Sequence, residues 1–264
     1  MKSYGSVAAR KRRRASDAKE ISLKITEYSI PATVPRTLTI VVCADLHCRP
    51  FADALSLCAD LRPDCIVSPG DMMNHLTEYA VTESFNEPGL TFLTRAREIA
   101  PVYYSIGNHE GGISAENVQL LTARGITVLN NDFVYAHDLC IGGLTTGLTY
   151  GAKRTNHTPP PNLAFLDRYA KTEGFHLLLC HHPEYYPAYI RATGIELTIS
   201  GHAHGGQWRL FGHDIYAPGQ GLFPKYASGC HENRLIVSRG MANTVSPIPR
   251  LGNPTELVVL RLTK

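Results

Sequence analysis

The sequence predicts an α/β domain built on a mixed sheet. Three observations point there. Apolar, β-branched runs alternate with segments of helical spacing over roughly the first two-thirds of the chain. The remainder, from Trp208, is rich in strand and turn residues and closes on "ELVVLRL". No linker or internal repeat interrupts the order, so residues 21–264 are expected to form one domain behind a basic, charged tail of residues 1–20.

"TLTIVVCA" (Thr37–Ala44) is continuous and β-branched, as a buried strand is. "FADALSLCADL" (Phe51–Leu61) has helical spacing, and "CIVS" (Cys65–Ser68) is a short buried strand. "LTFLTRAREIA" (Leu90–Ala100) reads as a helix stopped by Pro101. "VYYSI" (Val102–Ile106) is a strand, and "AENVQLLTARG" a helix with Gly125 at its C-cap. Short strands are expected near Ile126–Leu129, Phe133–Tyr135 and Leu139–Ile141. The Gly/Pro/Asn-rich stretch Thr145–Pro161 reads as a long loop, of the kind that serves function in compact domains. A helix over Asn162–Tyr169 and strands at Phe175–Cys180 and Glu196–Ser200 complete the alternating part.

Composition is that of an ordinary globular protein: 44% hydrophobic, 19% charged, net charge +3. That charge is too small for a general nucleic-acid binder, and the cations gather in "RKRRR" (Arg10–Arg14). Seven cysteines, an odd number with no CxxC pair, read as buried free thiols of a reducing compartment. No run approaches the ~20 apolar residues of a membrane span, and no secretory h-region comes after the basic start. The expected location is cytoplasmic, with peripheral contact at the inner membrane face through the basic tail as an option.

The residues just beyond the strands carry the chemistry. Five apolar strands run into Asp45-Leu46-His47, Gly70-Asp71, Gly107-Asn108-His109-Glu110, His181-His182-Pro183 and Gly201-His202-Ala203-His204. Any one of these is an ordinary turn, and "GHAHGGQ" by itself is explained as well by a loop with two chance histidines. Ligands of open α/β sheets bind beyond the carboxyl ends of the strands, so five such endings are expected to converge. The donors are oxygen and nitrogen with no thiolate, which suits catalytic Mn²⁺, Fe or Zn²⁺ better than a closed structural zinc. Seven ligands exceed what one ion with an open position takes; they suit two ions ~3.5–4 Å apart sharing a carboxylate.

In this order, "DLH", "GD", "GNHE", "HHP" and "GHAHGGQ" resemble the calcineurin-like metallophosphoesterase family, with the likeness running from Asp45 to Gln207. The later "YAPGQGLFPKYASG", "LIVSRGMANT" and "NPTELVVLRL" resemble its membrane-associated bacterial branch, which includes the alternative UDP-2,3-diacylglucosamine pyrophosphatases. The resemblance implies a four-layered α/β/β/α sandwich of two mixed sheets. It implies Asp45, His47 and His204 on one ion, Asn108, His181 and His202 on the other, and Asp71 bridging. His109 resembles the histidine that faces the leaving group. The ions would be divalent, Mn²⁺ first, with Fe, Zn²⁺ or Mg²⁺ as alternatives. The reaction expected is attack of metal-activated hydroxide on a phosphodiester or pyrophosphate, on a small-molecule or lipid-linked substrate.

Two departures from the family's phosphoprotein phosphatases narrow the substrate. "GDMMNHL" and "SIGNHE" lack their arginines, which removes a clamp for a dianionic monoester and favours diesters or pyrophosphates. Asn74 stands where they carry an aspartate that orients the histidine, and an amide stabilises imidazolium less well. Arg49 and Arg239 are candidate phosphate contacts. His182 is expected to point away from the ions, the aromatics of Pro183–Ile190 to form core or cleft wall, and His75, His137, His157, His176, His213 and His231 to be surface or loop residues. The rival readings are a nuclease or cyclic-nucleotide phosphodiesterase of the same superfamily and a non-catalytic metal-stabilised scaffold; no stable nucleic-acid complex is expected.

Overall fold

A computed structural model describes residues 23–148, 158–211, 213–217, 220–242 and 250–264. The predicted basic tail and His157 lie outside the described residues. Two six-stranded sheets are stacked. The first has the order β1 (Lys24–Pro31), β16 (Glu256–Thr263), β2 (Leu38–Val42), β3 (Cys65–Ser68), β4 (Val102–Ser105), β5 (Thr127–Leu129). The second has the order β14 (Gly229–His231), β15 (Leu235–Val237), β9 (Leu197–Ser200), β8 (Phe175–Cys180), β7 (Leu139–Leu144), β6 (Asp132–Ala136). Each sheet is mixed: β2 to β5 run parallel while β16 opposes β2, and β7, β8, β9 and β15 run parallel while β6 and β14 are antiparallel edges.

Alternation along each strand assigns the layers. Ile40 and Val42 face the second sheet and pack with Val67, Leu177, Leu179 and Ile199. Val41 and Cys43 face the other way, into α1 (Ala52–Leu61), α2 (Glu87–Ile99) and α3 (Ala115–Thr122), meeting Cys58, Phe92, Leu93 and Leu121. On the outer face of the second sheet, Leu178, Cys180 and Leu235 meet Phe165 and Leu166 of α4 (Leu163–Tyr169) and Tyr186 of a π-helical turn (Tyr186–Ile190). The result is α/β/β/α. Strands covered on both faces read as unbroken apolar runs, which is why β2, β3, β4 and β8 are visible in the sequence.

The helix signals hold in detail. Ser114 Oγ accepts the Asn117 N–H at 3.2 Å, and Asn162 Oδ1 accepts the Phe165 N–H at 2.9 Å, so both helices begin at a side-chain cap. After α3, Gly125 takes φ 79°, its N–H bonds Thr122 O, and the Ile126 N–H bonds Leu121 O: the paired bonds of a Schellman stop. Helix α2 starts earlier than expected, at Glu87, because Pro88 is tolerated in a first turn. Strand β1 was not expected at all. Its half-exposed edge pattern is weak, and its partner among the described residues, β16, lies at the far end of the chain. The two mixed sheets are those the family resemblance implies, joined through an apolar interface that no local pattern encodes. All seven cysteines are free; Cys48 and Cys230 are only partly buried.

Candidate metal centre

The parallel strands of both sheets end at one rim. Asp45 and His47 lie just past β2, Asp71 past β3, Asn108 and His109 past β4, His181 closes β8, and His202 and His204 lie past β9. Asp45, His47, Asp71, His202 and His204 hold left-handed backbone, with φ between 49° and 65°. This conformation costs a non-glycine residue about 1–2 kcal/mol. Strain gathered on one rim marks loops shaped for a site rather than for stability. Two glycines let the loops close. A Cβ at Gly201 would sit 2.5 Å from Asp45 Oδ2, and one at Gly107 would collide with Asp71 Oδ1.

The side chains form two groups. In the first, His47 Nε2 is 3.2 Å from His204 Nε2, and Asp45 Oδ1 is 3.6 Å from His204 Nε2 and 3.9 Å from His47 Nε2. In the second, Asn108 Oδ1 is 3.0 Å from His181 Nε2 and 2.7 Å from His202 Nδ1. Asp71 Oδ2 reaches both, at 3.1 Å from His181 Nε2 and 3.8 Å from His47 Nε2. Within each of the triplets Asp45–His47–His204 and Asp71–His181–His202, one donor atom from each residue lies within 4.8 Å of the others. Backbone N–H groups fix the carboxylates: His202 donates to Asp45 Oδ1 at 3.1 Å and His109 to Asp71 Oδ1 at 2.9 Å.

The site is largely buried. Burial holds His47 down at about 3 and pushes His202 and His204 well below the usual histidine range, so all three are neutral with lone pairs to offer. Burial lifts Asp45 to about 7. Burial would lift Asp71 too, but His181, His109 and His47 around it outweigh that and hold it well down. Burial works against a proton on His181; the negative Asp71 beside it prevails and raises the imidazole to about 9. A proton on His181 is thus the positive charge that the carboxylates call for. Asp45 Oδ2, His47 Nδ1 and His181 Nδ1 are buried without a hydrogen-bond partner. Neutral imidazoles, an amide oxygen and carboxylates in one largely buried site fit divalent cations, which supply positive charge and satisfy the lone pairs together.

A second tier holds these groups. Glu110, fully buried, accepts four backbone N–H groups: Asp71 (2.8 Å) and Gly107 (2.9 Å) on Oε2, Met72 (2.6 Å) and Met73 (2.8 Å) on Oε1. It ties the turn after β3 to the turn after β4. His109 Nδ1 shares a hydrogen bond of 2.8 Å with Asn74 Oδ1, and its Nε2 lies 4.0 Å from Asp71 Oδ2. Asn253 Nδ2 donates to His204 O at 2.6 Å, and Arg250 Nη2 donates to His204 Nδ1 at 2.9 Å. Of these, Glu110 was visible in "GNHE" and Asn253 opens the quoted "NPTELVVLRL", though with no role assigned; Arg250 carried no signal.

The remaining expected residues divide. Arg49 is exposed and lines an open cleft with His47, Cys48, Asn74, His75, Phe85 and His109. Arg239 is buried, and its guanidinium pairs with Glu256 Oε1 at 2.9 Å. His75 therefore belongs to the cleft wall. His182 Nε2 bonds Thr146 Oγ1 (2.9 Å), and its ring centroid lies 4.2 Å from that of His202, the planes tilted by 55°. Glu184 joins these two imidazoles in a further close triplet. His176 was expected at the surface; it is buried on β8, bonded to Glu196 at 2.7 Å, because a strand covered on both faces has no surface to offer. Tyr185 and Tyr186 are core, as expected.

A model of the calcineurin-like phosphoesterase family matches residues 38–206. Among curated proteins, the chain is 25% identical to YpbG of Bacillus subtilis (strain 168), over 85% of this chain and 81% of that protein. It is 28% identical to phosphodiesterase YaeI of Escherichia coli (strain K12), over 84% and 81%. It is 27% identical to metallophosphoesterase Cj0846 of Campylobacter jejuni, over 91% of this chain and 63% of that one, which is therefore longer.

Proposed function

Because the chain belongs to the calcineurin-like phosphoesterase family and is a metal-dependent phosphoester hydrolase, we propose that it cleaves a phosphodiester or pyrophosphate, on a lipid-linked or nucleotide-sugar substrate such as UDP-2,3-diacylglucosamine. The observation that carries a two-ion site is Asp71, whose Oδ2 stands within reach of both ligand triplets. Asp45, His47 and His204 would hold one ion, Asn108, His181 and His202 the other, with Mn²⁺ the first candidate. Bound ions supply activated water and neutralise charge on the phosphoryl oxygens.

The chain's own residues set the rest. The cleft in front of the triplets receives the substrate, with Arg49 at its mouth as phosphate contact. His109, held by Asn74 through Nδ1, would give a proton to the leaving oxygen from Nε2. The positions after Gly70-Asp71 are Met72 and Met73, both fully buried in the helix-side core, so no guanidinium enters the cleft from that turn. A dianionic monoester therefore finds less positive charge than it needs, which supports the diester reading. The name of phosphodiesterase YaeI points the same way.

The test is hydrolysis by the Mn²⁺-loaded protein of bis(p-nitrophenyl) phosphate against p-nitrophenyl phosphate. The diester should have the larger kcat/KM. A preference for the monoester sinks the diester reading, and no hydrolysis of either with two ions bound leaves a scaffold.

A further inference from the structure

Directly after the His202–His204 loop the chain runs outward into two small β-hairpins: β10 (Arg209–Leu210) with β11 (His213–Asp214), and β12 (Tyr216–Ala217) with β13 (Gly221–Leu222). They form one face. The Ile215 N–H bonds Trp208 O, the Phe223 N–H bonds Ile215 O, and the Arg209 N–H bonds Leu251 O. That face carries Trp208, Leu210, Phe211, Leu222, Phe223 and Leu251, all exposed; Phe211 is 93% and Phe223 75% exposed. A run of large apolar side chains in water is the kind of surface that marks an interaction site.

Two features identify its occupant. Phe211 (φ 51°), in a turn, and Phe223 (φ 50°), in the bend after β13, hold left-handed backbone that Asn or Gly adopts with less strain. The sequence gives up stability to hold two aromatic rings, 93% and 75% exposed, out in solvent. The charge is also one-sided. From Trp208 to His231 the only carboxylate is Asp214. It is engaged by Arg209 Nε at 2.7 Å and Ser228 Oγ at 3.0 Å. Lys225 is exposed beside the hairpins. Projecting aromatics with a cation and no unpaired acid complement an anionic, fluid apolar layer.

We propose that these hairpins dock the enzyme on an anionic lipid bilayer, with Phe211 and Phe223 entering the acyl boundary and the cleft held at the headgroup level. The proposal deepens the lipid-linked reading and rests on it for its purpose. Its test needs neither metal nor substrate, so the two fail separately. No helix among the described residues is long and apolar enough to cross a membrane, so the docking is peripheral.

Trp208 is the only tryptophan and lies on this face, so it reports contact directly. With the full chain and phosphatidylglycerol vesicles, its emission should shift to the blue and be quenched by brominated acyl chains. Phosphatidylcholine vesicles should give a much weaker response. F211N and F223N suit their backbone positions, so both should fold, and the Tm should rise slightly. Burying one Phe side chain is worth about 1.5–3 kcal/mol, so each change should weaken the partition coefficient by at least about tenfold. Hydrolysis of a soluble nitrophenyl diester should be unchanged. Deleting residues 1–22 should leave the quenching in place. The proposal is overturned by absence of quenching, by equal partitioning of F211N/F223N and the parent, or by loss of binding on tail deletion alone. A concentration-dependent blue shift without vesicles, with doubled mass in sedimentation, also overturns it, since a second copy then covers the face.

Discussion

His47 Nε2 and His204 Nε2 face each other across 3.2 Å inside the fold. Burial keeps both rings neutral, and Arg250, which can only donate, already occupies Nδ1 of His204. With Nδ1 of His204 taken, its Nε2 N–H bonds the lone pair of His47 Nε2; a cation would replace that bond with two nitrogen donors and also engage the unpartnered Asp45 Oδ2. Stripping metal with a chelator should therefore lower the Tm by several degrees, and Mn²⁺ should restore it. A ligand that binds only the native state at 100 times its Kd adds about 2.7 kcal/mol. Identical melting curves with and without chelator would remove the case for a cation here.

Asp71 Oδ2 lies 3.1 Å from His181 Nε2 and 3.8 Å from His47 Nε2, whereas Asp45 Oδ1 lies 3.6 Å from His204 Nε2 and no closer than 4.0 Å to His181 Nε2. Asp71→Ala should lose both ions, whereas Asp45→Ala should keep the second. Metal counting by mass spectrometry on the purified variants decides this. Two equivalents retained in Asp71→Ala would end its role as the bridge.

How much of the molecule is legible in its sequence depends on which contacts are local. Asp45, His47, Asp71, Asn108, His181, His202 and His204 were readable because each sits at the end of a strand whose apolar run is visible, and strand ends of parallel sheets share a rim. The clamp made by Glu110 was not, although the residue was in plain view. Its partners are backbone N–H groups, which leave no mark in a sequence. Strand β1 and Arg250 escaped because their partners lie far away along the chain, while the burial of His176 depends on α4 and the π-helical turn covering the sheet. Arg239 has the look of a phosphate contact in the sequence, but Glu256 on β16 pairs with it.

Arg250 yields a prediction of opposite sign to most. It is a largely buried cation beside the first triplet, and burial pulls it down to about 10. A histidine that gives Nε2 to a metal carries its proton on Nδ1, where Arg250 Nη2 now donates. Charge and hydrogen bonding both set Arg250 against a cation on His204. Arg250→Gln, which offers an acceptor and no charge, should tighten binding of one ion by about tenfold, roughly 1.4 kcal/mol. Calorimetric metal titration checks it, and weaker binding would show that Arg250 supports the site.

Glu110 should be the costliest residue near the site to remove. Glu110→Ala strands four buried N–H groups, each costing about 1–3 kcal/mol if no water replaces the carboxylate. With partial rehydration, a loss of about 3–5 kcal/mol is expected, read from chemical denaturation. Glu110→Gln keeps one acceptor oxygen and should fall between. A loss under about 1 kcal/mol in Glu110→Ala would mean that the two turns hold each other without the clamp.

His109 separates the chemistry from the metal binding. Its Nδ1 is occupied by Asn74 and its backbone N–H by Asp71 Oδ1, so the ring is held in place where it lines the cleft, with Nε2 4.0 Å from Asp71 Oδ2. If Nε2 donates to the leaving oxygen, its removal should matter only where the leaving group needs a proton. His109→Ala should keep both ions and lose about 10²–10⁴ in kcat on an alkyl diester, the span of general acid catalysis. With a nitrophenolate leaving group the loss should shrink to a few-fold. Asn74→Ala should show the same pattern in weaker form, since it loosens the ring without deleting it. If both substrates lose equally in His109→Ala, the imidazole stabilises charge on the phosphoryl group instead. If an ion is lost as well, His109 is a ligand, as its place in a close triplet with His47 and Asp71 would then explain.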